Sequence, residues 1–332
     1  MPAESTSPTD VLIVGAGIAG LTTARELQRG GLTVRLLDKG RGFGGRMAHR
    51  RGEGVAFDHG AQFFTVRDPA FQAIVDAWLE AGVADEWHRL PPTQAHPQPL
   101  IRYRGTPAMT APAKFLAEDL DVRRSTRVES VAYSETGWSA LTESGERFHA
   151  TWLILTMPPP QALTLLGDES LGKLPEADAA FLREVHYERT LALLVALNGP
   201  SALKAPGLRK GDLDEPLELV ADNYLKGVSP APGALTIHAS NAYSEKHYDS
   251  PDDVRIPPLL DAAQPFFGDS AVVEARAHRW GYATPLNRPH PDRGIVVPEL
   301  KLALAGDAFG GARVEGPVLS GLAVAARLRQ AS

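Results

Sequence analysis

Hydrophobic residues near the start of the chain follow the pattern of a strand, a helix and a second strand. Val11–Val14 is an unbroken apolar run, typical of a strand buried in a parallel sheet. Ile18–Arg29 carries apolar residues at helical spacing and ends at Gly30-Gly31, which favours a helix stop. Thr33–Leu37 is the next apolar strand. The pattern predicts one strand–helix–strand unit.

Further elements follow from the same periodicities. Pro69–Ala81 and Thr110–Leu120 are predicted helices, and the proline-rich stretch near 91–99 is a predicted loop. Residues 161–290 mix helices with β-rich runs, and the chain closes with a strand in "LKLALAG" and a helix in "GPVLSGLAVAARLRQ". Four short runs predict a small antiparallel meander leading into an apolar strand: Arg127–Tyr133, Trp138–Thr142, Glu146–His149 and Trp152–Thr156.

Composition narrows the class of protein. The chain has 332 residues, enough for two domains, with 43% hydrophobic and 22% charged residues. A net charge of -6 argues against binding a nucleic-acid backbone. There is no cysteine, which excludes disulfides, thiolate zinc sites, a cysteine nucleophile and a flavin linked through cysteine. The histidines show no paired-ligand spacing, so no metal site is predicted.

The ends of the chain and its apolar runs bear on localisation. The start, "MPAESTSPTD", has no basic segment followed by an apolar one, so no signal peptide is predicted. No stretch reaches the 18 apolar residues typical of a membrane span. We therefore expect a cytoplasmic protein without membrane attachment.

The glycines between the first strand and helix carry the first chemical signal. Gly15, Gly17 and Gly20 form G-x-G-x-x-G, in which glycine permits a tight turn, close approach of a diphosphate, and helix–strand packing. The helix N-terminus adds free N–H groups and a positive dipole end. Asp38, at the end of the second strand, is placed to bond a ribose hydroxyl. These residues predict a dinucleotide site and leave NAD and FAD both open.

Three further segments decide between the two dinucleotides. They are "RGFGGRM" (41–47), "FDHGAQFFT" (57–65) and "LALAGDAFGGARVEGPVLSGLAVAARL" near the C-terminus. Together with the glycine turn they resemble the flavoprotein amine oxidase superfamily. The resemblance implies a non-covalently bound FAD, with Arg46 near its diphosphate and flavin and Asp307 bonding the ribityl chain. It also implies that the last helix points its N-terminus at the flavin pyrimidine, where a dipole stabilises a reduced, anionic ring.

The cofactor-binding residues implied by these motifs lie in four stretches of sequence and at one further position. They are Gly15, Gly17, Ile18, Ala19, Gly20, Asp38, Lys39, Arg41, Gly45, Arg46, His59, Gly60, Ala61, Gln62, Val128, Gly306, Asp307, Gly316, Pro317, Val318 and Ser320. Lys39 is also open to interpretation as a solvated side chain, as is His49.

Within the superfamily, the motifs look most like those of bacterial renalase-type proteins, along residues 10 to 328. That resemblance implies oxidation of misreduced NAD(P)H isomers, the 2- and 6-dihydronicotinamide forms, by hydride transfer to FAD. The products are NAD(P)+ and, after reoxidation by O2, hydrogen peroxide. Oxidation or desaturation of an amine or another small hydrophobic molecule is the alternative, and a non-catalytic FAD-binding protein is a third. The C-terminal motif offers Phe309 but no tyrosine before Glu315, which weakens the amine alternative.

Hydride transfer asks the protein to stack the nicotinamide and hold its carboxamide. By resemblance, Asn223 and His238 take this catalytic role, although each is also typical of a turn or core residue. Phe63, Tyr187 and Trp280 are predicted substrate contacts. Three cations are candidates for the substrate diphosphate and equally for solvated side chains: Arg102, Arg104 and Lys226.

The fold predicted from these observations is a two-domain α/β protein. A Rossmann-like FAD domain is expected over residues 1–62, 103–162 and 290–332. A second, mixed-sheet α+β domain over 63–102 and 163–289 is expected to bind the substrate.

Overall fold

The structure, a computed structural model, describes residues 9–92 and 97–331. Most of the polar start, on which the prediction of no signal peptide rests, lies outside the described residues, as does part of the predicted loop at 91–99. The helices of the described part are α1 (Ile18–Arg29), α2 (Pro69–Glu80), α3 (Ala111–Ala117), α4 (Pro159–Leu171), α5 (Glu176–Glu184), α6 (Asn241–His247), α7 (Asp252–Arg255), α8 (Pro257–Ala263), α9 (Asp307–Gly310) and α10 (Glu315–Ala331).

The strands of the described part are β1 (Thr9–Val14), β2 (Val34–Leu37), β3 (His49–Arg51), β4 (Ala56–Asp58), β5 (Ala84–Leu90), β6 (Leu100–Gly105), β7 (Asp121–Arg123), β8 (Val128–Ser134), β9 (Gly137–Thr142), β10 (Arg147–Leu155), β11 (Tyr187–Leu197), β12 (Leu208–Lys210), β13 (Leu217–Asp222), β14 (Ala234–Ala239), β15 (Val272–Pro285), β16 (Ile295–Val297) and β17 (Leu302–Leu304). Short 3-10 turns cover Gly45–Met47, Gln264–Phe266 and Pro298–Leu300.

The predicted strand–helix–strand unit is confirmed as β1, α1 and β2, which form the centre of an eight-stranded sheet in the described residues. The main path runs β16-β17-β10-β1-β2-β7, and β1 pairs in parallel with both β2 and β10. Parallel neighbours put the carboxyl ends of β1 and β2 at the same edge, which brings the glycine turn beside the end of β2.

The meander prediction needs one correction. The two runs predicted as Glu146–His149 and Trp152–Thr156 are a single strand, β10. Its first half pairs antiparallel with β9, while its second half pairs in parallel with β1 and β17. β10 is thus one continuous strand whose pairing partners change along its length. A local sequence pattern carries no information about those partners.

Both faces of the large sheet are buried, as expected for strands that read as continuous apolar runs. Val11 and Ile13 pack with helices α1, α2, α3 and α10 on one side. Leu12 and Val14 pack on the other side with the meander and with helices α4 and α5. Helices α2, α4 and α5 thus share the cores of this sheet, although the predicted domain boundaries assign most of their residues to the second domain.

The described chain also contains a five-stranded antiparallel sheet, ordered β12-β13-β14-β11-β15. One face packs against α8 through Leu191, Leu193 and Leu259. The opposite face of β11 and β14 contacts Phe57 of the β3–β4 hairpin. That hairpin therefore lies between the cofactor-motif segments and the second sheet. No helix formed by the described residues is long and apolar enough to cross a bilayer.

Candidate active site

The glycine turn between β1 and α1 has the shape that a diphosphate needs. Gly15 adopts a positive φ of 113°, and a Cβ on Gly20 would overlap the Gly15 carbonyl oxygen, so both positions require glycine. A Cβ on Gly17 would instead enter open space, with no heavy atom within 4 Å. Gly17 caps α1 without a side-chain hydrogen bond. The turn leaves a cradle in front of the free N–H groups of the first helical turn, where Ile18 and Ala19 lie.

Asp38 closes this turn from the end of β2. Its Oδ2 accepts a hydrogen bond from the Ala16 N–H at 2.5 Å, and its Oδ1 accepts one from the Gly40 N–H at 2.6 Å. A carboxylate keeps further lone pairs, so these bonds are compatible with the predicted ribose contact. Lys39 points elsewhere, donating to Gln161 Oε1 at 3.2 Å.

Arg41 lies beyond Asp38, at the edge of a cavity of about 510 Å³ that also borders Arg123, Arg124 and Thr126. Val128, at the start of β8, follows this rim by two residues. Arg41 and Val128 are thus placed at the β2–β7 end of the crevice, by which we mean the predicted FAD site between the cofactor motifs. Their role as FAD ligands stays a prediction.

Arg46 and Asp307 meet although 261 residues separate them along the chain. The Arg46 guanidinium donates to both carboxylate oxygens, at 2.5 Å and 2.8 Å. Tyr187 donates its hydroxyl to Asp307 Oδ1 at 3.0 Å. Asp307 is 7% exposed and Arg46 33% exposed at their side chains. The N-terminal and C-terminal cofactor motifs are therefore joined by one charged pair that still faces the surface of the crevice.

The pKa values of this group follow from burial and charge. Burial alone would lower the pKa of Arg46, but attraction by Asp307 outweighs it and raises that pKa. Burial, reinforced by the negative charge of Asp307, raises the pKa of Tyr187 well above its ordinary value. Arg46 therefore stays charged and Tyr187 stays a hydroxyl donor at physiological pH.

The C-terminal motif packs against itself through glycine. A Cβ on Gly316 would overlap the Gly311 carbonyl oxygen, so the first turn of α10 approaches the loop before it very closely. Ser320 accepts a hydrogen bond from the Gly306 N–H at 2.9 Å through its hydroxyl oxygen. Pro317 and Val318 are buried in the same first turns of α10. This packing fixes the helix start beside Asp307.

Segment 59–61 runs alongside Arg46. The Ala61 N–H donates to the Arg46 carbonyl oxygen at 2.9 Å, and a Cβ on Gly60 would overlap that same oxygen. Gly45 has a positive φ of 54°, and a Cβ placed on it would lie 3.7 Å from the Gly17 Cα. The cofactor residues predicted from separate motifs are thereby brought to one crevice.

A cluster of histidines and an indole flanks this segment. The His59 ring stacks on Trp280 with centroids 5.4 Å apart, and His278 meets His59 edge-on at 4.7 Å. The Trp280 Nε1–H donates to the His59 carbonyl oxygen at 3.0 Å, and His238 Nε2 lies 3.3 Å from that oxygen. His278 was not predicted from the sequence, because a histidine in the charged run "EARAHRW" carries no motif.

Both predicted histidines of this cluster are neutral at physiological pH. Burial lowers the pKa of His59 to about 4, and burial likewise lowers the pKa of His238 to about 4. His59 Nδ1 is buried and has no hydrogen-bond partner among the described residues. A buried polar atom without a partner costs stability unless a ligand or water meets it, so this nitrogen marks a place for a bound group.

Asn223 lies inside the protein, away from the surface of the crevice. Its Nδ2 donates to the Ala234 carbonyl oxygen and to Thr236 Oγ1, and its Oδ1 accepts from the Asp58 N–H at 3.0 Å. The side chain is fully buried. These contacts favour the turn-and-core interpretation of Asn223 over the predicted contact with substrate.

Lys226 is also fully buried, which corrects its interpretation as a diphosphate ligand or a solvated charge. Its Nζ lies 2.8 Å from Asp58 Oδ2 and 3.4 Å from Gln62 Oε1. Burial alone would raise the pKa of Asp58, but the charge of Lys226, together with hydrogen bonds from Lys226, His49 and the Met109 N–H, lowers that pKa. Gln62 in turn donates to the carbonyl oxygens of Asp58 and Gly60. The buried Asp58–Lys226 pair thus supports segment 59–61, which runs alongside Arg46, from the interior of the protein.

The predicted substrate residues fall into two groups. Tyr187 lies beside Arg46 and Asp307, and Trp280 lies against Gly60. Phe63 lies on the other side, with Arg102 4.4 Å above its ring and Trp87 6.3 Å away. His49, expected to be solvated, is only 15% exposed at its side chain and places Nδ1 3.3 Å from Asp58 Oδ1.

Two protein families match parts of the chain. Residues 13–78 match the NAD(P)-binding Rossmann-like domain, and residues 93–329 match the flavin containing amine oxidoreductase family. The two matches together define the class, an FAD-binding flavoprotein with a Rossmann-like domain. Since the second match covers more than half of the chain, the protein belongs to the flavin-containing amine oxidoreductases, and its cofactor is FAD.

Curated relatives match over shorter stretches. Acetone monooxygenase (methyl acetate-forming) of Gordonia sp. (strain TY-5) is 29% identical over 156 residues, which is 45% of this chain and 25% of that protein. Hydroxyneurosporene desaturase of Rubrivivax gelatinosus is 47% identical over 57 residues, which is 17% of this chain and 11% of that protein. The matched part is a quarter or less of each relative.

Solved structures match over nearly the whole chain. Putrescine oxidase with putrescine bound has a TM-score of 0.71 at 16% identity, over 98% of this chain and 99% of that chain. A protein of Exiguobacterium sp. 255-15 assigned to the protoporphyrinogen oxidases has a TM-score of 0.71 at 13% identity, over 99% and 100%. At these identities the likeness concerns the fold.

Proposed function

We propose that the protein is a renalase-type oxidase that converts 2- and 6-dihydro isomers of NAD(P)H into NAD(P)+. The cluster of His59, His278 and Trp280 beside Arg46 carries this proposal, above all the unpartnered Nδ1 of His59. A nicotinamide needs a flat apolar surface and a hydrogen-bonding group for its carboxamide. The indole supplies the first, and a neutral imidazole supplies the second.

The aromatic content of the C-terminal motif supports the same choice. Phe309 is 1% exposed and packs between Phe181 and His290 in the core of the large sheet. It therefore supplies no wall to the crevice, and the motif lacks the aromatic side chain with which amine oxidases cage an amine. This absence disfavours an amine as the principal substrate.

The residues of this chain have three tasks in the proposed reaction, beside the bound cofactor. FAD, when bound, accepts the hydride at its N5 and passes the electrons on to O2, giving hydrogen peroxide. Trp280 supports the dihydropyridine ring, and the neutral imidazoles of His59 and His238 each keep one donor and one acceptor nitrogen. Arg46 and Asp307 hold the cofactor end of the crevice. The hydride-transfer step needs no general acid or base, because a hydride leaves the dihydropyridine carbon as such. Formation of hydrogen peroxide from O2 then takes up one proton from the solvent.

Anaerobic reduction of the yellow, FAD-loaded protein tests the proposal. Separate samples receive 6-dihydro-NAD, 2-dihydro-NAD, ordinary NADH, their phosphorylated forms, and a panel of amines that includes putrescine. We expect fast bleaching of the flavin band with the isomers and slow or no bleaching with NADH and amines. Hydrogen peroxide should then form stoichiometrically with NAD(P)+ when air is admitted. Bleaching by an amine alone contradicts the proposal.

Amine oxidation is kept as the second candidate because of one observation. Tyr187 and Tyr282 meet edge-on with centroids 5.6 Å apart next to Asp307, which offers an aromatic pair of the kind that can receive a cation. The structural likeness to putrescine oxidase points the same way at the level of fold. If no donor bleaches the flavin band, the remaining interpretation is a flavin-binding protein without turnover.

His59→Phe separates the substrate role of this imidazole from its packing, because the phenyl ring keeps the stack on Trp280. We expect flavin reduction by the isomers to slow about twofold to tenfold, the effect of one hydrogen bond, while FAD stays bound. His238→Ala should act in the same direction. His149→Ala, at an exposed position on β10, is the matched control and should change nothing.

A further inference from the structure

A cavity of about 400 Å³ opens beside the β3–β4 hairpin, between the hairpin, the start of α3 and the loop after β13. None of the residues predicted to contact FAD or its substrate lines this cavity. Its volume falls within the range of small-molecule sites. It is a space separate from the crevice that holds Arg46 and Asp307.

The cavity presents cations and no carboxylate. Arg51 and Lys114 line it with exposed side chains, and neither has an ion-pair or hydrogen-bond partner among residues 9–92 and 97–331. No acidic residue of the described chain belongs to the lining; Glu53, an exposed residue at the hairpin tip, stands between the lining residues Gly52 and Gly54. A guanidinium and an ammonium at one cavity attract an anion, and arginine fits a carboxylate or phosphate with two parallel hydrogen bonds.

The remaining walls are apolar. Val55, Pro107 and Val228 line the cavity together with alanines from both sides of it. An inorganic ion would leave this surface uncovered, whereas an anion that carries a compact carbon group would bury it. The lining therefore matches an organic anion better than a free inorganic one.

One lining residue connects the cavity with the flavin-side segment. His49 faces the cavity and places its Nδ1 3.3 Å from Asp58 Oδ1. Asp58 pairs with Lys226 at 2.8 Å, and Lys226 lies 3.4 Å from Gln62. A change in the hydrogen bonding of His49 thus reaches the segment that runs alongside Arg46 through three consecutive polar contacts.

We propose that this cavity is a second ligand site, which binds a small organic anion, a carboxylate or a phosphate monoester with a compact apolar group. Arg51 and Lys114 bind the anionic group, and Val55, Pro107 and Val228 contact its carbon body. Occupancy is transmitted to the flavin environment through His49, Asp58 and Lys226.

Calorimetric titration of the FAD-loaded protein with benzoate, phenyl phosphate and the neutral benzyl alcohol tests the site. We expect saturable binding of at least one of the two anions, weakened by added salt, and no comparable binding of benzyl alcohol. The preferred anion identifies the acidic group. The R51Q/K114Q variant should lose at least tenfold in affinity, while R183Q/K204Q, which removes the same charge from exposed positions elsewhere, should bind normally.

Several outcomes overturn the proposal. They are the absence of saturable anion binding, equal binding of benzyl alcohol, and unchanged binding by R51Q/K114Q, which would place the anion in the flavin crevice. Flavin absorbance, recorded in the same titration, tests the coupling. A spectral shift in the native protein that disappears in R51Q/K114Q supports it, and binding without any shift overturns that part. Because no electron donor is present, these results do not depend on the reaction proposed above.

Discussion

The Arg46–Asp307 and Asp58–Lys226 pairs both join distant parts of the chain at the same crevice, yet their surroundings differ. Arg46 keeps 33% of its side chain exposed, and its partner carboxylate also accepts from Tyr187. Asp58 and Lys226 are both 0% exposed and are enclosed by backbone and side-chain donors and acceptors. The first pair faces a space where a ligand fits, and the second lies behind the wall of that space.

This difference separates two uses of charge in one protein. In the Arg46–Asp307 pair the carboxylate is buried, but the guanidinium keeps part of its water, which a cofactor can replace. A fully buried pair has lost its water already, so breaking it leaves an unpaired charge in the interior. We therefore expect substitutions in the first pair to act on FAD binding and those in the second to act on folding.

The largest effect is expected at the buried pair. Asp58→Asn or Lys226→Met removes one charge and leaves the other without a partner, which costs about 3–5 kcal/mol. Urea unfolding of the FAD-loaded protein, monitored by tryptophan fluorescence, measures this loss.

The double variant Asp58→Leu/Lys226→Met is the control for charge. It should recover part of the lost stability, since no unpaired charge remains. A double variant as unstable as the sum of the single ones would show that the two charges do not act as a pair.

At the exposed pair, Asp307→Asn should weaken FAD binding without a comparable loss of folding stability. The charged hydrogen bond that the ribityl chain of FAD is predicted to make with Asp307 contributes about 1.5–3 kcal/mol, which corresponds to roughly a tenfold to hundredfold rise in the Kd for FAD. Quenching of flavin fluorescence on titration into apoprotein gives that Kd. Asp212→Asn, which breaks the exposed Arg209 pair beside β12 of the second sheet, should leave the Kd unchanged.

The glycine turn sharpens the same distinction with a smaller change in structure. Gly20→Ala places a methyl group against the Gly15 carbonyl oxygen and should destabilise the fold by about 1–3 kcal/mol. Gly17→Ala places it in the open cradle and should cost the fold less than about 1 kcal/mol. FAD titration should show the opposite order. Relative to its small loss of folding stability, Gly17→Ala should weaken FAD binding more than Gly20→Ala does. Normal FAD binding by Gly17→Ala would move the diphosphate away from this turn.

A further effect concerns pH. The pKa of His59 and of His238 is lowered to about 4 by burial, whereas an unfolded histidine has a pKa near 6.5. Between these values the unfolded chain binds more protons, so stability falls as pH falls from about 6.5 to about 4. The urea midpoint should be lower near pH 5 than near pH 7. His238→Gln should reduce this difference, and His149→Gln should leave it unchanged.

The elements around the glycine turn were predictable because their signals are local. Helix α1 spans the predicted Ile18–Arg29, since helical spacing and the Gly30-Gly31 stop lie within one stretch of sequence. The FAD motifs were likewise recognisable, because each needs glycine where the backbone turns or approaches a neighbour. Strand β10 was predicted as two pieces, since its continuity depends on partners before and after it in the chain.

Burial of the polar residues was decided by the tertiary structure. In "DNYLKGV" nothing marks Lys226 as buried, because the carboxylate that neutralises it is 168 residues away. The same holds for Asn223, whose amide bonds Thr236 and the Asp58 N–H, and for His49, which faces Asp58. The available sequence signal was the acidic residue Asp58 in "FDHG", but the sequence does not indicate which residues its carboxylate contacts.

The sequence by itself determined the Rossmann-like unit, the FAD motifs and the absence of thiol chemistry, since spacing and residue type are enough for those. The tertiary structure decided which charges face the crevice and which support it from behind. The reason is physical: hydrogen bonds and ion pairs between segments hundreds of residues apart depend on distance in space. Desolvation then turns chemically similar pairs, Arg46–Asp307 and Asp58–Lys226, into groups with different roles.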